Sequence, residues 1–248
     1  MIKEPAAGWY GRAVGNVLVL WDIDYTLINA GSSSTQLYGM VFRTLFGREL
    51  HRVAPMAGRT DRAIILHTLE RAGVSDPYEH VEAFLAGLAD QAPGFRALVA
   101  ERGHALPGAA AALAALGGLG AAHAVQSVVT GNIRPLAEAK LGALGMTGHL
   151  DLDIGAYGDH HEIRAELVHL ARRNATRAYG QDFAGQAAVI VGDTPLDVAA
   201  AQAAGARSVG VATGASSAAE LAAADADAML PDLADTAAVL AAVLGHRP

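Results

Sequence analysis

The sequence predicts an α/β fold, a parallel sheet whose chain detours through an all-helical block, and three observations carry that expectation. The run Val17-Leu18-Val19-Leu20-Trp21 is continuously apolar and ends at Asp22, the pattern of a strand buried on both faces. From Leu106 onward, strand-length apolar runs alternate with helical patterns, which implies parallel strands joined by right-handed crossovers. Between Thr35 and Arg102 the apolar residues keep helical spacing without strand alternation. That stretch is therefore an insert after the first strand.

Taken in order, residues 1–16 hold Pro5, Gly8, Gly11 and Gly15 without periodicity and read as a loose leader. The first strand runs to Asp22, and the turn-like Asn29-Ala30-Gly31-Ser32-Ser33-Ser34 supplies a serine to cap the next helix. Helices are expected over 35–46, 61–72 and 78–99, the last broken at Pro93-Gly94. Pro107-Gly108 opens an alanine-rich helix. Beyond it the pattern predicts strands at 123–130, 150–155, 186–192 and 208–212, separated by helices at 135–144, 162–173 and 196–204. Helices around 218–224 and 233–244 flank a short strand at 228–230. Residues 17–31 and 103–248 thus form the expected core, and 32–102 the helical insert. Gly117-Gly118-Leu119-Gly120 follows a helix rather than a strand, so it reads as a turn and not as a dinucleotide loop.

A chain of 248 residues with 52% hydrophobic and 17% charged residues has ample material for a buried core. Its net charge of -7 argues against nucleic acid or an anionic membrane as partner. Cysteine is absent, so neither disulfides nor thiolate metal sites are available. No apolar run reaches membrane-spanning length and no secretory leader is recognisable, which makes a cytoplasmic location the expectation.

The ends of the expected strands carry the chemistry. Asp22 and Asp24 lie two positions apart where the first strand breaks into a loop, at the sheet edge where open α/β folds bind ligands. Two carboxylates at ~4 Å repel by roughly 4 kcal/mol at an effective dielectric of ~20, so a cation belongs beside them. Taken alone, Asp-x-Asp reads rather as an Asp-rich turn or a helix N-cap, and the other strand ends decide. The next strand ends in Thr130-Gly131-Asn132, small donors suited to cradling phosphate oxygens. A further apolar run ends in Gly192-Asp193-Thr194-Pro195-Leu196-Asp197, where Pro195 and Asp197 also suit the first turn of a helix. Carboxylates at Asp22, Asp24 and Asp193 would make an oxygen-rich site suited to Mg²⁺.

These three motifs, in this order, resemble the haloacid dehalogenase superfamily, from about Val17 to the final helices. The resemblance implies a Rossmann-like parallel sheet core with an inserted all-helical cap domain, and a Mg²⁺-dependent phosphatase acting on a small phosphorylated metabolite. In its terms Asp22 is the nucleophile that forms an aspartyl phosphate, and Asp24 is the general acid/base. Thr130, Gly131 and Asn132 meet the phosphoryl group, and Asp22, Asp24, Asp193 and Asp197 hold Mg²⁺. The family's usual lysine after the third strand is missing, and Arg164 stands in its place. A guanidinium binds phosphate in a fork and stays charged, although Arg164 could equally pair with Glu162 on a helix surface. Lys140, mid-helix before that strand, is expected to lie away from the site. Gly58-Arg59-Thr60-Asp61 resembles the cap segment that reaches over the catalytic edge and makes Arg59 a candidate substrate contact, with helix capping by Thr60 or Asp61 as the alternative. His160-His161 reads as a solvated loop, because adjacent side chains diverge. Leu37, Val41, Phe42 and Leu45 recur at helical spacing and read as packing within the cap.

Other activities on this scaffold can be weighed. Displacing halide needs no acid, so Asp24 argues against a dehalogenase. A phosphonatase needs a cap lysine, and none lies between Asn29 and Arg102. A phosphomutase or phosphotransferase stays open, as does a non-catalytic phosphate-binding scaffold protein. A receiver-like signalling domain would lack the insert. Neither the substrate nor the oligomeric state is legible.

Overall fold

A computed structural model describes residues 16–31 and 33–245; residues 1–15 of the expected leader lie outside the described residues. The five parallel strands are β1 (Val17–Trp21), β4 (Ala124–Val128), β5 (Ala188–Gly192), β6 (Arg207–Val211) and β7 (Ala228–Leu230), in the order β4-β1-β5-β6-β7. β1 is therefore an interior strand between β4 and β5, and all five of its residues are buried. Val17, Val19 and Trp21 face one apolar core, while Leu18 and Leu20 face a second. Helices α5 (Ala109–Gly118), α6 (Arg134–Ala143) and α10 (Thr236–Leu244) cover the first face. Helices α7 (Arg164–Tyr179) and α8 (Pro195–Ala203) cover the second, and α9 (Ala218–Ala223) precedes β7. The register aligns Trp21 with Val128 on one side and Val191 on the other. All three of these strands consequently end at one level.

The expected strand at 150–155 does not form. Its ends attach to β4, through Asp151 N to Gln126 O at 2.9 Å and Ala156 N to Val128 O at 3.0 Å. Between them the Asp151 carboxylate accepts from Asp153 N at 3.1 Å, an Asx-turn that bends the chain off the sheet and leaves a single Val129–Ala156 bridge.

Between the core strands the chain makes helices α1 (Ser33–Phe46), α2 (Asp61–Arg71), α3 (Pro77–Asp90) and α4 (Ala92–Arg102). The break expected at Pro93-Gly94 falls instead at Gln91. Pro93 sits in the first turn of α4, where its missing N–H costs nothing. Two short segments too brief to leave a periodic signal, β2 (Ile28–Asn29) and β3 (His104–Ala105), pair antiparallel as the insert leaves and rejoins the core.

The start of α2 docks on the core. Thr60 caps it by accepting from Ala63 N, so the capping alternative for this segment holds. Asp61 N donates to Gly131 O at 2.6 Å and Arg62 N to Gly158 O at 3.1 Å. The Asp61 carboxylate accepts from Tyr38 Oη at 2.6 Å and Ile133 N at 2.8 Å. Burial pushes this carboxyl up from 3.8 to about 6, opposed by those two hydrogen bonds. Gly158 lies directly under the junction, where a Cβ would overlap the Gly131 carbonyl oxygen and stand 2.8 Å from Asp61 N.

Gly158→Ala is expected to cost about 1–3 kcal/mol by overpacking, read as a Tm lower by several degrees in a thermal melt; an unchanged Tm would refute the tight junction. Asp61 binds its proton more tightly folded than unfolded, so its favourable contribution is complete below pH 3.8 and is lost as pH rises through about 6. Across that window Asp61→Asn should gain relative to the parent by up to about 3 kcal/mol, measured as the difference in unfolding free energy against pH.

Candidate active site

Asp22 leaves β1 at the level where β4 and β5 end, and the loop after it turns sharply. Leu27 N and Ile28 N both donate to Ile23 O, and Tyr25 N donates to Ile28 O at 2.7 Å. Tyr25 is forced into a left-handed conformation at φ 59, which costs a residue with a Cβ about 1–2 kcal/mol. Thr213 Oγ1, from the loop after β6, holds the Tyr25 carbonyl at 2.5 Å. The turn sets Asp24 beside Thr130-Gly131-Asn132 at the end of β4. Asp22, Asp24, Thr130, Gly131, Asn132, Arg59, Arg164 and Asp193 all border one cavity of about 350 Å³ between core and insert.

Asp22, Asp193 and Asp197 converge, each buried, with one carboxylate oxygen of each within 4.8 Å of the others. Asp193 follows β5, and Thr26 Oγ1 donates to its carboxylate at 3.4 Å. Asp197 is reached through a capping box: its Oδ2 accepts from Thr194 N at 3.1 Å and Thr194 Oγ1 at 2.6 Å. Gly192 makes room for this fold-back, since a Cβ there would lie 2.6 Å or less from the Asp197 carboxylate. The helix-capping and site readings of Asp197 are thus served by different oxygens.

Arg164, at the start of α7, answers the repulsion. Its Nη2 lies 2.7 Å from Asp22 Oδ1 and 2.5 Å from Asp197 Oδ1, the latter outside hydrogen-bond geometry. The surface pairing with Glu162 does not occur: Arg164 is only 8% exposed. Burial raises the proton affinity of Asp22, with Arg164 opposing it and Asp197 and Asp24 adding to it. Asp193 is raised for the same leading reason, then by Asp22 and Asp197. One guanidinium against three carboxylates leaves excess negative charge, and Asp197 Oδ1 is a buried oxygen without a hydrogen bond. A donor set made only of carboxylate oxygens with that charge fits a hard divalent cation.

The structure does not bring the Asp24 side chain into this cluster, contrary to the expected four-acid set. Lys140 takes it instead. Its Nζ lies 2.8 and 2.6 Å from the two Asp24 carboxylate oxygens and 2.6 Å from Asn132 Oδ1. Asn132 Nδ2 donates to Asp24 Oδ2 and to Thr130 Oγ1, both at 2.8 Å. The Thr130 oxygen also accepts from Asn132 N at 3.2 Å, which leaves its own proton free for a ligand. Placing Lys140 away from the site was wrong. It stands on the buried stripe of α6 with Leu136 and Ala137, is 2% exposed, and packs its ammonium 5.7 Å from the Phe95 ring of α4. The signal was available: a lysine at helical spacing within an apolar stripe needs a buried counter-charge.

Arg59 borders the cavity but folds back on its own loop, donating to Pro55 O and Ala63 O and lying 3.1 Å from His67 Nδ1. Leu37 also borders it, while Val41 and Phe42 pack inside the insert and Leu45 is 39% exposed. His160 and His161 each accept a nearby backbone N–H through Nδ1, and among the described residues the three-acid cluster is the only group arranged to hold a metal.

Known structures share this architecture. CbbY from Rhodobacter sphaeroides, in complex with phosphate, superposes with a TM-score of 0.65 at 20% identity over 88% of this chain and 95% of its own. A Clostridium acetobutylicum protein described as a predicted phosphatase gives 0.61 at 19% identity, over 87% and 93%. A Bacteroides vulgatus protein provisionally assigned as a beta-phosphoglucomutase gives 0.61 at 17%, over 93% and 91%. At these identities the likeness establishes the fold. A search of curated proteins gives no significant match. A model of the haloacid dehalogenase-like hydrolases matches residues 19–202, and the chain belongs to that family.

Proposed function

We propose that the protein is a Mg²⁺-dependent phosphatase that hydrolyses a small phosphate monoester through an aspartyl phosphate on Asp22. The observation that carries this reading is the buried Asp22–Asp193–Asp197 cluster beside a separately held Asp24. Asp22, Asp193 and Asp197 would hold the ion, which supplies charge compensation for the phosphoryl oxygens. The phosphate bound in the Rhodobacter relative and the phosphatase description of the Clostridium relative agree with it.

In this mechanism an Asp22 carboxylate oxygen attacks phosphorus in line. Thr130 Oγ1 donates its free proton to a phosphoryl oxygen, and Gly131 N is the amide of this turn left for the same group, since Thr130 N and Asn132 N donate to Ala156 O and Thr130 Oγ1. Arg164 balances charge at the nucleophile, though it is already committed to Asp22 and Asp197. Asp24 passes a proton to the leaving oxygen. As a carboxylate held by Lys140 and Asn132 it then takes one from the water that cleaves the aspartyl phosphate. Arg59 forms part of the cavity wall beside the bound ester, held there by Pro55 O and Ala63 O. The boundaries at 31/32 and 102/103 make the cap the unit that selects the alcohol.

The Bacteroides relative keeps a phosphomutase in view, and the product separates the two: inorganic phosphate from a hydrolase, an isomeric ester from a mutase.

Hydrolysis of a chromogenic aryl phosphate with Mg²⁺ tests the proposal. Asp22→Asn and chelation by EDTA should each reduce turnover to background, while Asp24→Asn lowers kcat by about 10²–10⁴-fold. Persistent turnover in Asp22→Asn excludes the covalent route. Lys140→Met, which leaves Asp24 without its cation, should lower kcat by about 10²-fold with phosphate affinity little changed; equal loss in both would point to a collapsed site.

A further inference from the structure

Resting on the phosphatase reading, the apolar lining of the cavity points to the substrate. The larger apolar residues of the lining are Leu37 and Tyr38 of α1, Met56 of the following loop, Ile64 of α2 and Leu136 of α6. Leu37, Tyr38, Ile64 and Leu136 are at most 5% exposed and belong to the main apolar core, so the wall is fixed by packing.

Among the described residues three cations border the cavity, two of them paired with acids and the third turned back onto its loop. Lys140 is bound by Asp24 and Asn132, and Arg164 by Asp22 and Asp197. Arg59 is drawn back onto Pro55 O, Ala63 O and His67. The charged group that the insert adds near Asp24 is a carboxyl, Asp61, itself tied to Tyr38 and Ile133. Ser34 and Thr35 contribute hydroxyls, which suit a neutral polar group. A second anion on the substrate would meet apolar surface and acid; among the described residues the one bordering cation without an acid partner, Arg59, is turned back onto its own loop, and burying an unpaired charge is costly. The volume, about 350 Å³, lies near the lower bound of small-molecule sites (~300–1,000 Å³), which suits one compact alcohol rather than a nucleotide.

We propose that the substrate is the phosphate monoester of a small, uncharged alcohol with an apolar body, and that a second anionic group on that alcohol is selected against. The arrangement separates two tasks. The core binds the phosphoryl group, which every candidate shares. The apolar wall then ranks the alcohols by buried area, and the lack of a cation turned toward that wall disfavours alcohols that carry an anionic group of their own.

The test uses the whole protein with Mg²⁺ and stable phosphonates, so that affinity is read independently of turnover. Dissociation constants are measured by calorimetry for ethyl-, propyl- and butylphosphonate, and for 4-phosphonobutanoate, which places a carboxylate on the carbon chain of butylphosphonate. Affinity should rise about fourfold per methylene, the equivalent of ~0.8 kcal/mol each, and the carboxylate should weaken binding by about tenfold or more. A flat chain-length series, or a carboxylate that binds as well as butylphosphonate, overturns the inference. Failure of the phosphatase reading looks different: the phosphonates would rank as stated while no ester was hydrolysed.

Discussion

Four carboxylates crowd the carboxyl edge of one small sheet, and the fold tolerates them because two buried cations are delivered from different helices. Arg164 arrives at the first turn of α7 and answers Asp22 and Asp197. Lys140 arrives from the middle of α6 and answers Asp24. Breaking such a buried pair by deleting one partner typically costs about 3–5 kcal/mol, so each cation is structural as well as electrostatic. The division also separates the acids into two environments. Asp22 sits with Asp193 and Asp197 in a cluster with charge left to spare, whereas Asp24 is fully partnered a short distance away. Two aspartates only two positions apart can thereby take different parts in one reaction.

The strands that matter were legible because burial on both faces writes a continuous apolar run, and the acids that end such runs stand out. β1 and β5 announced Asp22 and Asp193 in this way, and the short strand at 228–230 was found at its true limits. Asp197 was ambiguous for a sound reason: one of its oxygens caps a helix and the other faces the cluster. The 150–155 segment had strand-like composition but two aspartates, and one of them bends the chain before a ladder can form. Lys140 was misplaced because its distance along the chain was weighed above its position on the helix. Tyr38 carried no legible signal, and Asp61 stood out only as a helix-capping candidate, since their hydrogen bond joins two helices of the insert.

The seam between insert and core is made of main-chain groups rather than of apolar side chains alone. The first turn of α2 donates to the carbonyls of Gly131 and Gly158, and Thr60 Oγ1 donates to Glu162 O at 3.0 Å. Hydrogen bonds of this kind are directional, so they fix how the insert sits over the strand ends more tightly than area burial could. The wall that faces a bound alcohol and the turn that meets its phosphoryl group are in this way held to a single geometry.

The paired segments Ile28–Asn29 and His104–Ala105 bring the two ends of the helical insert side by side. To the sheet, the whole of α1 to α4 is no more than an enlarged loop closed at its neck, because the spacing of those two exits does not depend on what lies between them. A cassette that keeps this neck and the docking of α2 on Gly131 and Ile133 can be lengthened, trimmed or exchanged with strand order and register unchanged, and so the chemistry at the sheet edge can outlive a change in what it is offered.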